Sequence, residues 1–173
     1  MKKIVFAVIA AVLMIGTVAA FTACGVNGSP KSVVKASMEA AVSLDYAKMI
    51  DVLYFENTED KDDYKKQLED EMSGNDGGTL TVDGSITKFE FSSESVSDEE
   101  LEAIKALYPG INVEAAENYT VTYSAKIKTT VTIGDVSTDT DTSVDDKEAK
   151  GIVYKIDGGW YMDIVPDILQ TAE

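Results

Sequence analysis

The sequence contains no histidine and no arginine, and its 173 residues include a single cysteine. Without histidine, a Ser-His-Asp triad, a histidine general base and a His-ligated zinc or iron site are excluded. Without arginine, the bidentate clamp for phosphate is missing, and one cysteine cannot build a disulfide framework. Acidic residues outnumber basic ones 31 to 15, which excludes a basic groove for nucleic acid. We therefore expect no catalytic residue, no cofactor and no metal.

The N-terminus has the three-part pattern of a secretory signal. Lys2 and Lys3 form a short positive start, residues 4–15 contain no polar side chain, and small residues precede Cys24. A charged start, an apolar run and a small-residue cleavage site are typical of an exported precursor. One alternative is a transmembrane anchor, because residues 4–23 are long enough to span a bilayer. A second alternative is that Cys24 is a buried structural cysteine.

The segment Phe21-Thr22-Ala23-Cys24-Gly25 resembles the lipobox of bacterial lipoprotein precursors, with Phe21 where that family usually has leucine. The resemblance implies cleavage between Ala23 and Cys24 and a diacylglyceryl group on the Cys24 thiol. It also implies a protein anchored by lipid to the cell membrane, on the extracytoplasmic side.

These features predict four segments. They are a signal peptide at 1–23, a lipidated tether at 24–29, a single domain at 30–166 and a tail at 167–173. The leader holds two of the 15 lysines and no acid, so the remaining chain has a net charge of −18. We expect anionic lipids to repel this domain and cationic peptides or basic envelope proteins to be attracted to it.

Helix signals dominate the first half of the domain. Ser29-Pro30 predicts the start of an amphipathic helix over 30–43, and Asp45 can cap a second helix. The charged segment 56–71 indicates a solvated third helix. The Ser97–Glu100 capping box predicts a further helix over 98–107.

Strand signals dominate the second half. Alternation of apolar and polar residues predicts strands at 86–95, 119–133, 152–156 and 160–164, with a hairpin turn at 157–159. Helices followed by antiparallel strands predict an α+β domain, in which N-terminal helices pack on a curved antiparallel sheet of about four strands.

Three stretches of the domain resemble the NTF2-like (cystatin-like) superfamily: the Ser-Pro helix at 29–44, the turn at 44–46, and the Gly-Gly-Trp-Tyr-Met-Asp-Ile end at 158–164. The resemblance implies a cone-shaped cavity between the helices and the curved sheet. Isomerases, dehydratases and binding modules share this fold, so it does not fix the activity.

Aromatic residues on the predicted inward strand faces are candidates for the wall of a ligand pocket. The alternative is that they are ordinary core residues. The five candidates are Phe89, Phe91, Tyr123, Tyr154 and Trp160.

The segment 134–146 carries five aspartates, which suggests a calcium loop. An EF-hand frame that starts at Asp139 fails, because Val144 replaces the required glycine and Lys150 the bidentate glutamate. An irregular oxygen-ligand site remains one alternative, and a solvated hairpin tip is the other.

We therefore predict a membrane-anchored, non-enzymatic binding or adaptor module for a small ligand, a cationic peptide or an envelope partner. The alternative is an NTF2-like enzyme of the isomerase or hydrolase type, which needs a carboxylic acid beside a tyrosine in one pocket. The sequence does not place a carboxylate there, because Asp163 is predicted on the face opposite Trp160 and Met162.

Overall fold

The computed structural model describes residues 27–73 and 78–165. The leader, Cys24, the turn at 74–77, Pro166 and the tail at 167–173 lie outside the described residues. The predictions made for those segments therefore remain predictions.

The described residues contain four helices, three of which begin at predicted capping residues. Their bounds are Pro30–Ser43 (α1), Tyr46–Ile50 (α2), Thr58–Ser73 (α3) and Asp98–Leu107 (α4). Ser29 caps α1, because its Oγ accepts a hydrogen bond from the backbone N–H of Ser32 at 3.2 Å. Leu44 ends that helix in the left-handed conformation at φ 50°, and Asp45 caps α2. The predicted helices at 30–43 and 98–107 are confirmed.

Six strands lie within 27–73 and 78–165. Their bounds are Leu53–Phe55 (β1), Thr79–Ser95 (β2), Val113–Ile133 (β3), Val136–Ile156 (β4), Gly159–Tyr161 (β5) and Asp163–Val165 (β6). Strands β2, β3, β4 and β5 form an antiparallel sheet in that order, and β1 pairs with β6 in parallel. The protein is thus α+β with a four-stranded antiparallel sheet, as predicted.

The aspartate-rich segment 134–146 is a solvated hairpin tip, the second of the two alternatives: Gly134 and Asp135 form the turn, and β4 runs from Val136 along β3 as exposed strand. One strand prediction is wrong. The predicted strand 160–164 is two strands, since the chain bends at Met162. Before the bend, β5 pairs with β4, and after it, β6 pairs with β1. The predicted strand is divided because its two halves pair with different strands.

The first core cluster lies between α1 and one face of the sheet. Tyr119, Val121, Tyr123, Ala125 and Ile127 supply the buried positions of β3. The predicted alternation over 119–133 therefore holds, but burial stops at Ile127 and Ile133 is 50% exposed. The residues of the first cluster are Val33, Val34, Met38, Val42, Tyr119, Val121, Tyr123, Ala125, Ile127, Val153 and Met162.

A second core cluster lies on the other face of the sheet, near the C-terminal end of β4. Ala116 pairs with Tyr154, and Tyr154 pairs with Tyr161, so these three side chains share one face. Ile104 of α4 packs there with Val113, Ala116, Ile156 and Ile164. The sheet thus buries apolar side chains on both faces at this end, where the sequence predicted one buried face.

Candidate binding surfaces

Four of the five predicted pocket aromatics lie on the α1 face of the sheet. Tyr123 belongs to the first core cluster, and Phe89, Phe91 and Trp160 are half-buried against it. The rings of Phe89 and Phe91 stack with their centroids 6.3 Å apart. Burial raises the pKa of Tyr123. These contacts are those of core packing against α1.

Tyr154 lies on the opposite face, so the structure separates it from the other four candidates. Its ring meets that of Tyr108 edge-on at 6.3 Å, and its register partner Tyr161 meets Tyr54 edge-on at 5.2 Å. We call Tyr54, Tyr161, Tyr154 and Tyr108 the tyrosine row. All four side chains are half-buried.

Asp163 lies near two members of the tyrosine row, since its charge adds to burial in raising the pKa of Tyr108 and of Tyr154. Its carboxyl is half-buried, and Oδ1 accepts a hydrogen bond from the backbone N–H of Ile164 at 2.9 Å. Burial raises the pKa of Asp163. Burial, with smaller contributions from the charges of Tyr108 and Asp163, raises the pKa of Tyr154 to about 12. Within the described residues, no hydrogen bond joins Asp163 to Tyr108 or Tyr154.

Sequence reasoning missed this arrangement of a carboxyl and two tyrosines. It assigned one buried face to the sheet and set Asp163 on the wet side of it. The alternation of Ile152, Tyr154 and Ile156 carried the relevant signal. It marks an apolar face of β4 opposite Val153, which belongs to the first core cluster. A half-buried carboxyl of raised pKa is chemically suited to exchange a proton with a bound group.

The sheet extends past the C-terminal end of α1 as a three-stranded ribbon. The helix crosses β2 at Gly84, where a Cβ atom would lie 1.8 Å from the carbonyl oxygen of Val42. We call the part beyond this crossing the acidic ribbon, made of residues 79–83, 128–133 and 136–141. At its tip, Ile133 is 50% and Val136 is 67% exposed.

The two faces of the acidic ribbon differ in chemistry. Val136 and Thr138 pair with Ile133 and Val131 on the face that continues from α1. On the opposite face, Asp139 lies beside Thr130, whose hydroxyl donates to its carboxylate at 2.8 Å. Lys128 Nζ lies 2.7 Å from Asp139 Oδ2. Hydrogen bonds from Lys128 and Thr130 lower the pKa of Asp139.

The described residues give no support to a calcium site in the aspartate-rich segment. No group of three or more Asp, Glu, His or Cys residues suited to hold a metal ion occurs in 27–73 or 78–165. The segment is paired strand, and its alternation directs successive side chains to opposite faces. In the same part of the chain, no helix is long and apolar enough to cross a membrane.

Comparison with known proteins gives no relative. No protein-family model, no curated protein and no solved structure matches this chain.

Proposed function

We propose that this chain is a bacterial lipoprotein, anchored through a diacylglyceryl group on Cys24 to the extracytoplasmic side of the cell membrane, whose domain binds a cationic partner without catalysing a reaction. The anchor is supported by the leader and by the lipobox-like segment 21–25. Two acyl chains give stable anchoring where a single chain does not.

The anchor is tested by labelling cells with palmitate and separating their membranes. The wild-type chain should carry label in the membrane fraction, and Cys24→Ala should carry none. A matched control, Cys24→Ala combined with Gly28→Cys, keeps one cysteine in the tether at a position where a Cβ meets no atom within 4 Å, and should also stay unlabelled. Unlabelled wild-type protein in the membrane pellet would contradict the lipid anchor.

The binding role rests on one observation, which is the acidic ribbon. It projects past α1 and carries exposed carboxylates, and the chain without its leader has a net charge of −18. Such a field raises the association rate of positively charged partners and falls with ionic strength. A basic partner outside the membrane is therefore the class that this surface attracts.

Binding is tested with the full chain in neutral detergent and a dye-labelled lysine-rich peptide. The anisotropy of the dye should rise with protein concentration, and the affinity should fall steeply as salt is added. A glutamate-rich peptide of equal length is the control and should not bind. Equal affinity for both peptides, or none for either, would overturn the cationic partner.

The finer architecture that we propose is the NTF2-like cone. It is supported by α1 and α2 preceding the antiparallel sheet, and by register shifts at 86–88, 113–115 and 123–125, since bulges bend strands. An experimental structure with a flat sheet and no cavity beneath α1 would contradict it.

A second candidate function is an NTF2-like enzyme, and the specific observation that favours it is Asp163 beside Tyr154 and Tyr108. A carboxyl of raised pKa near phenolic hydroxyls is the combination that moves a proton next to a carbonyl. The test is isomerisation of a β,γ-unsaturated ketone, followed by the absorbance of the conjugated product. Activity lost in Asp163→Asn would support the enzyme, and identical slow rates in both proteins would count against it.

A further inference from the structure

The outer edge of β4 lacks a neighbouring strand over most of its length. On one side β4 pairs with β3 from Val136 to Ile156. On the other side β5 covers only Tyr154, Lys155 and Ile156. Within the described residues, the edge from Val136 to Val153 therefore presents backbone N–H and C=O groups without a strand partner. Such an edge is a template for another extended chain.

The charge of this edge restricts which chain can pair with it. Residues 135–146 hold five aspartates and no lysine. A second copy of this protein would bring the same carboxylates against each other, and like charges across a strand pair are destabilising. A neutral strand would gain no charge compensation. The aspartates thus disfavour self-association and select a basic strand.

The two faces of the β4 edge define the pattern of that strand. Cross-strand partners share a face, so Asp139 and Asp141 lie on the face of Thr130 and Lys128. Val136 and Thr138 lie on the other face, beside Ile133 and Val131.

Two lysines only partly neutralise the acidic face. Lys128 contacts Asp139 at 2.7 Å and Lys126 lies beside Ser143, whereas the face carries three carboxylates, those of Asp83, Asp139 and Asp141. A partner strand with basic residues on one face and β-branched residues on the other complements both the acidic face and the apolar face of the β4 edge.

We propose that the β4 edge from Val136 to Val144 binds an extended basic segment of a partner protein, which adds to the sheet as a further strand with alternating basic and β-branched side chains. This deepens the proposed function and rests on it, since it names the surface and the form of the cationic partner. Main-chain hydrogen bonds supply affinity in this mode of recognition, and alternate side chains supply specificity.

The first experiment separates strand addition from simple charge attraction. The full chain in neutral detergent is titrated with a short peptide of alternating lysine and valine. It is also titrated with the same peptide N-methylated at every valine. This peptide keeps its charge but lacks the backbone N–H donors along one of its two edges. We expect N-methylation of the correct edge to weaken binding by at least about tenfold. Because the strand can approach with either edge, a second peptide methylated at every lysine is included.

The second experiment locates the site. The Asp139→Asn/Asp141→Asn variant should bind the unmodified peptide on the order of fivefold more weakly, as the loss of two exposed ion pairs predicts. The control Asp62→Asn/Asp63→Asn removes the same charge from the exposed surface of α3 and should bind like the wild type. Amide hydrogen exchange over residues 136–144 should slow when the peptide is bound.

The outcomes distinguish this proposal from the broader one. If all three peptides bind equally and exchange over 136–144 is unchanged, strand addition is overturned while the cationic partner stands. If both aspartate variants lose affinity equally, the β4 edge is not the site. If no lysine peptide binds even at low salt, the cationic partner fails and strand addition fails with it.

Discussion

The carbonyl oxygen of Val42, near the C-terminal end of α1, occupies the space that a side chain at Gly84 of β2 would need. A Cβ atom on Gly84 would lie 1.8 Å from that oxygen and 2.3 Å from the carbonyl carbon. Since both atoms belong to backbone, no side-chain rotation relieves the overlap. Gly84 thus sets how closely the helix approaches the sheet and where the acidic ribbon begins.

Gly84→Ala should lower the free energy of unfolding by about 1–3 kcal/mol, because the helix must move away from β2 to admit the methyl group. Urea unfolding followed by Trp160 fluorescence measures the change. Gly28→Ala is the matched control, since a Cβ there meets no atom within 4 Å. If the two variants unfold alike, the close contact between α1 and β2 is wrong.

Ser37 is fully buried in α1, and its hydroxyl has no hydrogen-bond partner within the part of the chain that the structure describes. Ser37→Ala should raise the free energy of unfolding by about 0.5–1 kcal/mol, because an unsatisfied polar group is removed and helix propensity improves.

Ser32→Ala is the comparison variant in the same helix, because it removes a hydroxyl that does form hydrogen bonds. Its hydroxyl donates to the Ser29 carbonyl at 2.8 Å and accepts from the Ser29 N–H at 3.1 Å. This change should cost about 1 kcal/mol. Destabilisation of similar size in both variants would mean that the Ser37 hydroxyl is satisfied.

Asp163 should make stability depend on pH. Burial raises the pKa of this carboxyl in the folded protein, so the unfolded chain releases the proton first as the pH rises. The free energy of unfolding therefore falls from the unfolded-state pKa up to the folded-state pKa and stays lower above it. Asp163→Asn should be more stable than wild type at neutral pH, and the difference should vanish in acid.

Asp139→Asn should show the opposite sign. Hydrogen bonds from Lys128 and Thr130 lower the pKa of Asp139, so its stabilisation is present above the unfolded-state pKa and is lost as the pH falls through the folded-state value. Unfolding in urea across the acid range measures both variants against wild type. Parallel pH profiles for the two variants would contradict the burial of Asp163.

Alkaline titration should show two tyrosines that lose their phenolic proton at a higher pH than the others. Burial raises the pKa of Tyr119 to about 12, and burial with nearby charges raises that of Tyr154 to about 12. The ultraviolet absorbance of phenolate should therefore rise in a final step near that pH. Tyr119→Phe and Tyr154→Phe should each remove part of this step. A single transition near the ordinary tyrosine pKa would contradict the placement of both rings.

Ser97→Ala should destabilise the protein by about 1 kcal/mol through the loss of the α4 cap. The Ser97 hydroxyl accepts from the Glu100 N–H at 3.3 Å, and Glu100 Oε2 accepts from the Ser97 N–H at 2.9 Å. Thermal unfolding monitored by circular dichroism measures the change. Ser95→Ala, at the exposed end of β2, is the control and should leave the melting temperature unchanged.

Local signals predicted most of the elements. Ser29-Pro30 and the Ser97–Glu100 box located the starts of α1 and α4, because capping depends on residues close in sequence. The period of two located the buried positions of β3 from Tyr119 to Ile127. Four of the five aromatic candidates were assigned to the correct face for the same reason.

Pairing between distant residues was not predictable. The bend at Met162 and the parallel pairing of β6 with β1 depend on a strand more than a hundred residues earlier in the chain. The burial of Tyr154 and Asp163 depends on α4 covering the second face, and the alternation of Ile152, Tyr154 and Ile156 does not tell which element covers it. The aspartates of 135–146 violate the pattern of a buried strand and were assigned to a solvated hairpin tip, which the structure bears out, but the pairing of this segment with β3 from Val136 onward was not predicted.

Composition alone determined that this protein has no histidine or arginine chemistry and carries a large negative charge, because these properties depend only on which residues are present. Short-range patterns determined where helices and strands begin, because capping and alternation act within a few residues. Only the tertiary structure decided that the sheet is buried on both faces at one end and uncovered at the other. That outcome depends on where α1 crosses Gly84 and α4 meets Ile156, and on contacts that exist only once distant segments have packed together.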